Sequence, residues 1–82
     1  MANLNKVFDG IMQGRAVAFR DLQRLLLKLG FRLDRIIGSH HIYLHPKVPR
    51  PLNVQPIGKD AKPYQVRQLR DMIREFGLTQ RG

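Results

Sequence analysis

All three histidines of this chain fall within six residues, in Gly38-Ser39-His40-His41-Ile42-Tyr43-Leu44-His45-Pro46. Histidine has an unperturbed pKa of about 6.5, so it both takes and gives a proton near neutrality. Fifteen Lys and Arg against six Asp and Glu give a formal net charge of +9, a field that draws in anionic polymers. A proton-transfer group on a chain that attracts phosphates points first to RNA cleavage. Metal-independent cleavage needs a base for the ribose 2′-hydroxyl, cations for the phosphorane, and an acid or water for the leaving 5′-oxygen. His40 fits the base. The neighbourhood lacks the pair of carboxylates that would hold two Mg²⁺ ions, which disfavours the two-metal route. The expected products are then a cyclic phosphate or its opened form.

Each of these residues has a plainer reading. His40 also suits the capping of a turn. His41 alternates away from Ile42 and Leu44, so it either borders RNA or is a solvated sheet residue. His45, before Pro46, reads as structural or substrate-lining. A His41/His45 metal site lacks a third protein ligand, and no metal or other cofactor is expected. Tyr43 shares a face with His41 and His45, where its ring either stacks on an unpaired base or packs against the core or edge. Lys59 and Lys62 flank the start of the last helix, whose free amide hydrogens already attract phosphate, although such a pair is common on any surface. Arg67, Arg70 and Arg74 read as a solvated ridge, with docking of an acidic protein surface as a second role.

The elements that must position these groups are legible from periodicity. From an Asn3 N-cap, Leu4, Val7, Phe8, Ile11 and Met12 line one face of a short helix, weakened by Gly10 and ended by Gly14. Arg15 to Ala18 read as an extended connection. Phe19, Leu22, Leu25, Leu26 and Leu29 form the stripe of a second helix that Gly30 closes. Phe31 to Ile37 and His40 to His45 read as two strands of a hairpin turning at Gly38-Ser39. Ile42 and Leu44 are expected over the core, with His41, Tyr43 and His45 on the opposite face. Pro46, Pro49 and Pro51 are expected to break regular structure around a basic tip with Lys47 and Arg50. Leu52 to Gln55 forms a short third strand and residues 58–62 a loop. Pro63 opens a last helix that runs to Phe76, with Val66, Leu69, Ile73 and Phe76 buried and Gly77 as its stop.

Eighty-two residues build one small domain. Hydrophobic residues at 43% and charged residues at 26% are globular values. The chain has no cysteine, which excludes a disulfide framework, a thiolate zinc site and a cysteine nucleophile. The first residues lack the long apolar segment of a signal peptide, and no stretch approaches the roughly 20 apolar residues that span a bilayer. A cytoplasmic protein is expected. With a pI near 11.2, nucleic acid is the leading partner, ahead of acidic lipids or an acidic protein.

The order helix, helix, strand, strand, strand, helix describes an α+β fold. It is a three-stranded antiparallel sheet with helices on one face, and its last five elements match the α-β-β-β-α arrangement of double-stranded-RNA-binding domains. The segment Leu22 to Phe31, the run Arg35 to Pro46 and the closing Lys59-Asp60-Ala61-Lys62-Pro63 with its helix resemble the HicA family of toxin components, over residues 19 to 76. The first helix and connection, residues 1–18, resemble those of a longer subgroup, and residues 77–82 read as a flexible tail. The resemblance implies an endoribonuclease that cleaves mRNA as the toxin of a type II toxin-antitoxin module and is neutralised by a HicB-like antitoxin; the missing carboxylate pair makes the expected cleavage metal-independent. It also implies that the histidine directly after the Gly-Ser turn, His40, is catalytic. Ser39, His41, Tyr43, Lys59 and Lys62 are then the expected RNA contacts. The competing reading is a noncatalytic RNA-binding module of the same fold. A DNA-binding protein using its two amino-terminal helices is weaker, because no recognition helix of exposed base-reading side chains is evident.

Overall fold

The hydrophobic stripes of three helices and one face of a three-stranded sheet meet in a single core, in a computed structural model that describes residues 3–80. Helix α1 spans Leu4–Met12 and is capped by Asn3, whose Oδ1 accepts a hydrogen bond from the Asn5 amide at 2.8 Å. Helix α2 spans Phe19–Lys28 and buries Leu22, Leu25 and Leu26. It ends as the Gly30 signal requires. Gly30 has φ 98°, its amide bonds to the Leu27 carbonyl, and the Phe31 amide reaches back to the Leu26 carbonyl at 2.9 Å. This paired closure satisfies carbonyls that a helix end leaves open, and it turns Phe31 into the core.

Strands β1 (Arg32–Ile37), β2 (His40–His45) and β3 (Val48–Val54) form an antiparallel sheet in the order β1-β2-β3. A ribbon of two short strands follows, β4 (Pro56–Ile57) and β5 (Asp60–Ala61), where the sequence reads as a loop. The backbone explains the difference. The Ala61 amide bonds to the Val17 carbonyl at 2.9 Å and the Phe19 amide to the Lys59 carbonyl at 2.8 Å, so the connection before α2 pairs with this segment. Helix α3 spans Pro63–Phe76, with Pro63 in its first turn and Gly77 in the left-handed conformation at its end. Together α2, β1, β2, β3 and α3 make the double-stranded-RNA-binding-like α-β-β-β-α arrangement, with α1 added against α2 and α3. No helix among the described residues is long and apolar enough to cross a membrane.

Three expectations are corrected. The faces of β2 are inverted: Tyr43 and His45 are buried, whereas Ile42 and Leu44 are half-buried. Register explains it, because Tyr43 lies opposite buried Leu52, and His41 opposite buried Val54. A period of two separates the faces of a strand without saying which one meets the helices. Next, β3 runs straight through Pro49 and Pro51. It lies at the edge of the sheet, and its register against β2 shifts between Tyr43 and His45, so prolines here need remove no ladder bond. Last, the segment after α3 is not loose at its start. Leu78 is buried, its amide bonds to the Ile73 carbonyl at 3.1 Å, and Gln80 reaches Asn5. Burying such a leucine contributes about 1.5–3 kcal/mol, enough to dock the chain. Gln13, Gly14 and the extended Ala18 stand where the sequence puts the first helix end and connection. Residues 81 and 82 of the expected tail lie outside the described residues.

Strand β1 carries no buried residue, and Leu33, Ile36 and Ile37 are 41%, 53% and 59% exposed. Its apolar content therefore reflects strand propensity at an edge rather than a share in the core.

Candidate functional site: a histidine turn joined to the last helix

The tight turn between β1 and β2 consists of Gly38 and Ser39, with Ile37 and His40 paired across it. Gly38 adopts φ 59°, a left-handed value that suits glycine at the first position of a two-residue hairpin loop. His40 is thereby placed at the first residue of β2, exposed, on the sheet surface opposite the helices. Asn53 on the neighbouring strand donates from Nδ2 to His40 Nδ1 at 2.9 Å. The other ring nitrogen, Nε2, is the one left for an incoming ligand. The Oδ1 atom of Asn53 is buried without a hydrogen-bond partner among the described residues.

The turn is tied to α3 through a short chain of amides. Gln55 Nε2 donates to Ser39 Oγ at 3.3 Å, and Gln65 Nε2 donates to Gln55 Oε1 at 2.7 Å. Gln65 Oε1 accepts the Gln55 backbone amide at 2.6 Å, and the Gln55 carbonyl accepts the Lys62 amide at 2.9 Å. Gln65 is buried, so this reciprocal pairing satisfies groups that would otherwise be costly to bury. Lys62 is the N-cap residue of α3, and Lys59 sits in the turn between β4 and β5. Both lysines are exposed. The route from Ser39 to Lys62 needs only Gln55, so the histidine turn and the amino-terminal end of α3 are neighbours at one end of the sheet.

The other two histidines serve the fold. His41 donates from Nδ1 to the Ser39 carbonyl at 3.1 Å and meets the Phe19 ring edge-on at 4.9 Å, bracing the turn against α2. His45 is buried, donates from Nε2 to the Leu29 carbonyl at 2.8 Å, and accepts the Lys47 amide on Nδ1 at 3.0 Å. Its ring lies edge-on to Phe31. With both nitrogens used, it has none to offer a metal, and the His41/His45 site is ruled out. Tyr43 is 3% exposed and its hydroxyl accepts a hydrogen bond from Gln23 Nε2 at 3.4 Å. A ring sealed in this way has no face to give a base, which corrects the expectation that it stacks on RNA.

Of the basic groups, Arg50 on the β3 bulge pairs with Glu75 at 3.0 Å and lies over the Phe76 ring, so it clasps the end of α3. Arg70 sits 3.6 Å from Asp71. A cleft of about 260 Å³ lies elsewhere, between the α1–α2 connection and α3, lined by Arg15, Arg67 and apolar residues. His40 stands instead on an open surface. An open surface suits a polymer better than a small molecule, which needs enclosure to lose its water.

Sequence reasoning singles out His40, Ser39, Lys59 and Lys62, and it does not single out Asn53, Gln55 or Gln65, which the structure places beside them. Asn53 and Gln55 occupy the polar positions of the alternation Leu52-Asn53-Val54-Gln55, the only signal they leave. Their roles arise from the β2–β3 register.

A family model described as the HicA toxin of bacterial toxin-antitoxin matches residues 19–78. No curated protein and no solved structure matches the chain. The matched span starts at the first residue of α2 and ends at the buried Leu78, so it takes in the sheet, the histidine turn and α3. The chain belongs to the HicA toxin family of bacterial toxin-antitoxin systems.

Proposed function

We propose that the protein is a metal-independent endoribonuclease that cleaves mRNA in the cytoplasm, with His40 as its proton-transfer group, and that a HicB-like antitoxin silences it. The observation that carries the reading is an exposed imidazole on a tight turn, with one nitrogen held by Asn53 and the other open. Near it, through Gln55, stands the amino-terminal end of α3 with Lys62 and Lys59.

In the reaction, Nε2 of His40 takes the proton of the ribose 2′-hydroxyl as the 2′-oxygen attacks phosphorus. The bond from phosphorus to the 5′-oxygen breaks, and that oxygen leaves with a proton from the imidazolium or from water. The products are a 2′,3′-cyclic phosphate and a 5′-hydroxyl. Lys59, Lys62 and the free amides of the first turn of α3 neutralise the charge that builds on the phosphorane. Ser39 and the uncovered part of His41 line the approach.

The test is the purified protein and its His40→Ala variant on a defined RNA with chelator present. Cleavage falls by about 10²-fold or more in the variant, RNA affinity is retained, and the fragment ends are cyclic phosphate and 5′-hydroxyl. Full cleavage by the variant, or 5′-phosphate ends that require added Mg²⁺, overturns the reading. Loss of RNA binding together with cleavage favours a noncatalytic binding module.

A further inference from the structure

Among the described residues, the one polar side chain bonded to the His40 ring is Asn53, and that contact sits on the face where the reaction would occur. We propose that Asn53 is a positioning residue. It keeps Nδ1 occupied so that Nε2 is the nitrogen presented to the substrate, and its amide turns over to match the proton carried by the ring. The proposal rests on the reading of His40 given above.

The argument begins with the chemistry of the pair. A neutral imidazole has one nitrogen that donates and one that accepts, and the partner of Nδ1 decides which is which. A carboxamide offers a donor on one side and an acceptor on the other. With Asn53 Nδ2 facing Nδ1 at 2.9 Å, the contact is satisfied by the tautomer that leaves Nδ1 bare and carries the ring proton on Nε2, from which it can be donated to a phosphate or a leaving oxygen. To act as a base, Nε2 must be bare and the proton must sit on Nδ1. Nδ1–H then needs an acceptor, and Asn53 supplies one by presenting Oδ1.

The surroundings allow that exchange. In the observed orientation Oδ1 is buried and unpartnered, and no hydrogen bond to another described side chain pins the amide. Turning it over exchanges which half is unsatisfied. Either orientation serves only the half that faces His40, so the proton on the ring decides between them. Asn53 itself is held in place by its strand. It lies opposite Ile42 in the β2–β3 ladder, between buried Leu52 and Val54, and diagonally across from His40. The amide stays within reach while its two ends interchange. The imidazolium is served by the same acceptor orientation, so one residue supports the ring in every state the reaction visits.

The experiment measures the ring directly. The full chain, labelled with ¹⁵N in its histidines, is examined by NMR as wild type, Asn53→Ala and Asn53→Asp, at a pH where the rings are neutral. The Asn53→Ala variant is expected to show a changed balance of His40 tautomers, with His41 and His45 signals unmoved. Asn53→Asp has only acceptors, so it is expected to hold the proton on Nδ1. In RNA cleavage, kcat falls about tenfold in Asn53→Ala, well short of the 10²-fold or greater loss expected without His40 itself. Asn53→Asp recovers most of kcat with a raised KM, because the added negative charge opposes RNA. Unchanged His40 signals in Asn53→Ala overturn the proposal. So does a kcat in Asn53→Asp as low as in Asn53→Ala, because a merely structural role would not be rescued by an acceptor. Should Asn53→Ala fail to fold, the tautomer in Asn53→Asp decides alone, and a proton remaining on Nε2 sinks the idea. The spectra report on the pair whether or not RNA is cut. Normal cleavage by His40→Ala, with the tautomer shifts intact, therefore rejects the nuclease reading and not the coupling.

Discussion

At the scale of single residues, three histidines of one short segment do three different jobs, and their hydrogen bonds separate them. His40 keeps one nitrogen open, His41 braces the turn on which it sits, and His45 joins the end of α2 to β2 with both nitrogens spent. Removing His45 strands the buried Leu29 carbonyl, takes the acceptor from the part-buried Lys47 amide and leaves a cavity beside Phe31. His45→Ala is therefore expected to destabilise the fold by about 2–4 kcal/mol, read from the shift of the urea unfolding midpoint. Under conditions where the variant is still folded, its RNA cleavage should match the wild type. A stability change below about 0.5 kcal/mol, the range of ordinary surface substitutions, contradicts the assignment. Tyr43 belongs with His45: its hydroxyl meets Gln23 inside the fold, so its amphipathic ring is a core side chain with a satisfied polar tip.

Among the elements, the histidine turn and the start of α3 are joined through Gln55, which Gln65 of α3 holds by two hydrogen bonds. A helix start needs partners for its free amides, and Lys62 offers no side-chain cap to α3. The seam is instead held by the reciprocal glutamines and by the Lys62 amide on the Gln55 carbonyl. Gln65→Leu keeps the volume but leaves the Gln55 amide without its acceptor. The expected cost is about 1–3 kcal/mol, and hydrogen exchange at the Gln55 and Lys62 amides should speed up more than exchange within β1 and β2. Uniform loss of protection across the sheet would show that the pair stabilises the whole fold and not this seam. Cleavage should fall with the loosened seam, because a phosphate held out of register with His40 forfeits the benefit of positioning.

Across the whole molecule, a net charge of +9 leads, on the proposed nuclease reading, to an expected RNA affinity that falls steeply with salt, with a slope that counts the phosphates neutralised. For single-stranded RNA each such contact contributes about −0.7 to the slope of log K against log salt. Lys59→Ala and Lys62→Ala are each expected to flatten the slope by about 0.7, whereas Lys47→Ala, at the far end of β2, should leave it nearly unchanged. Equal effects at all three positions would mean a diffuse field rather than a clamp. Complex formation with an acidic antitoxin should also weaken with salt where rim charges dominate recognition. Much of this molecule was determined by sequence alone. The helix spans, the Gly30 and Gly77 stops, the hairpin at Gly38-Ser39 and the family follow from local rules, because periodicity, capping and turn chemistry act within a few residues. Tertiary structure decided which face of β2 meets the helices, that β3 carries two prolines along an edge, and that Leu78 docks. It also decided that Asn53 reaches His40 and that Gln55 links Ser39 to α3. These depend on strand register and on the ends of elements far apart in the chain, and no pattern within a single segment records which distant side chain will stand opposite.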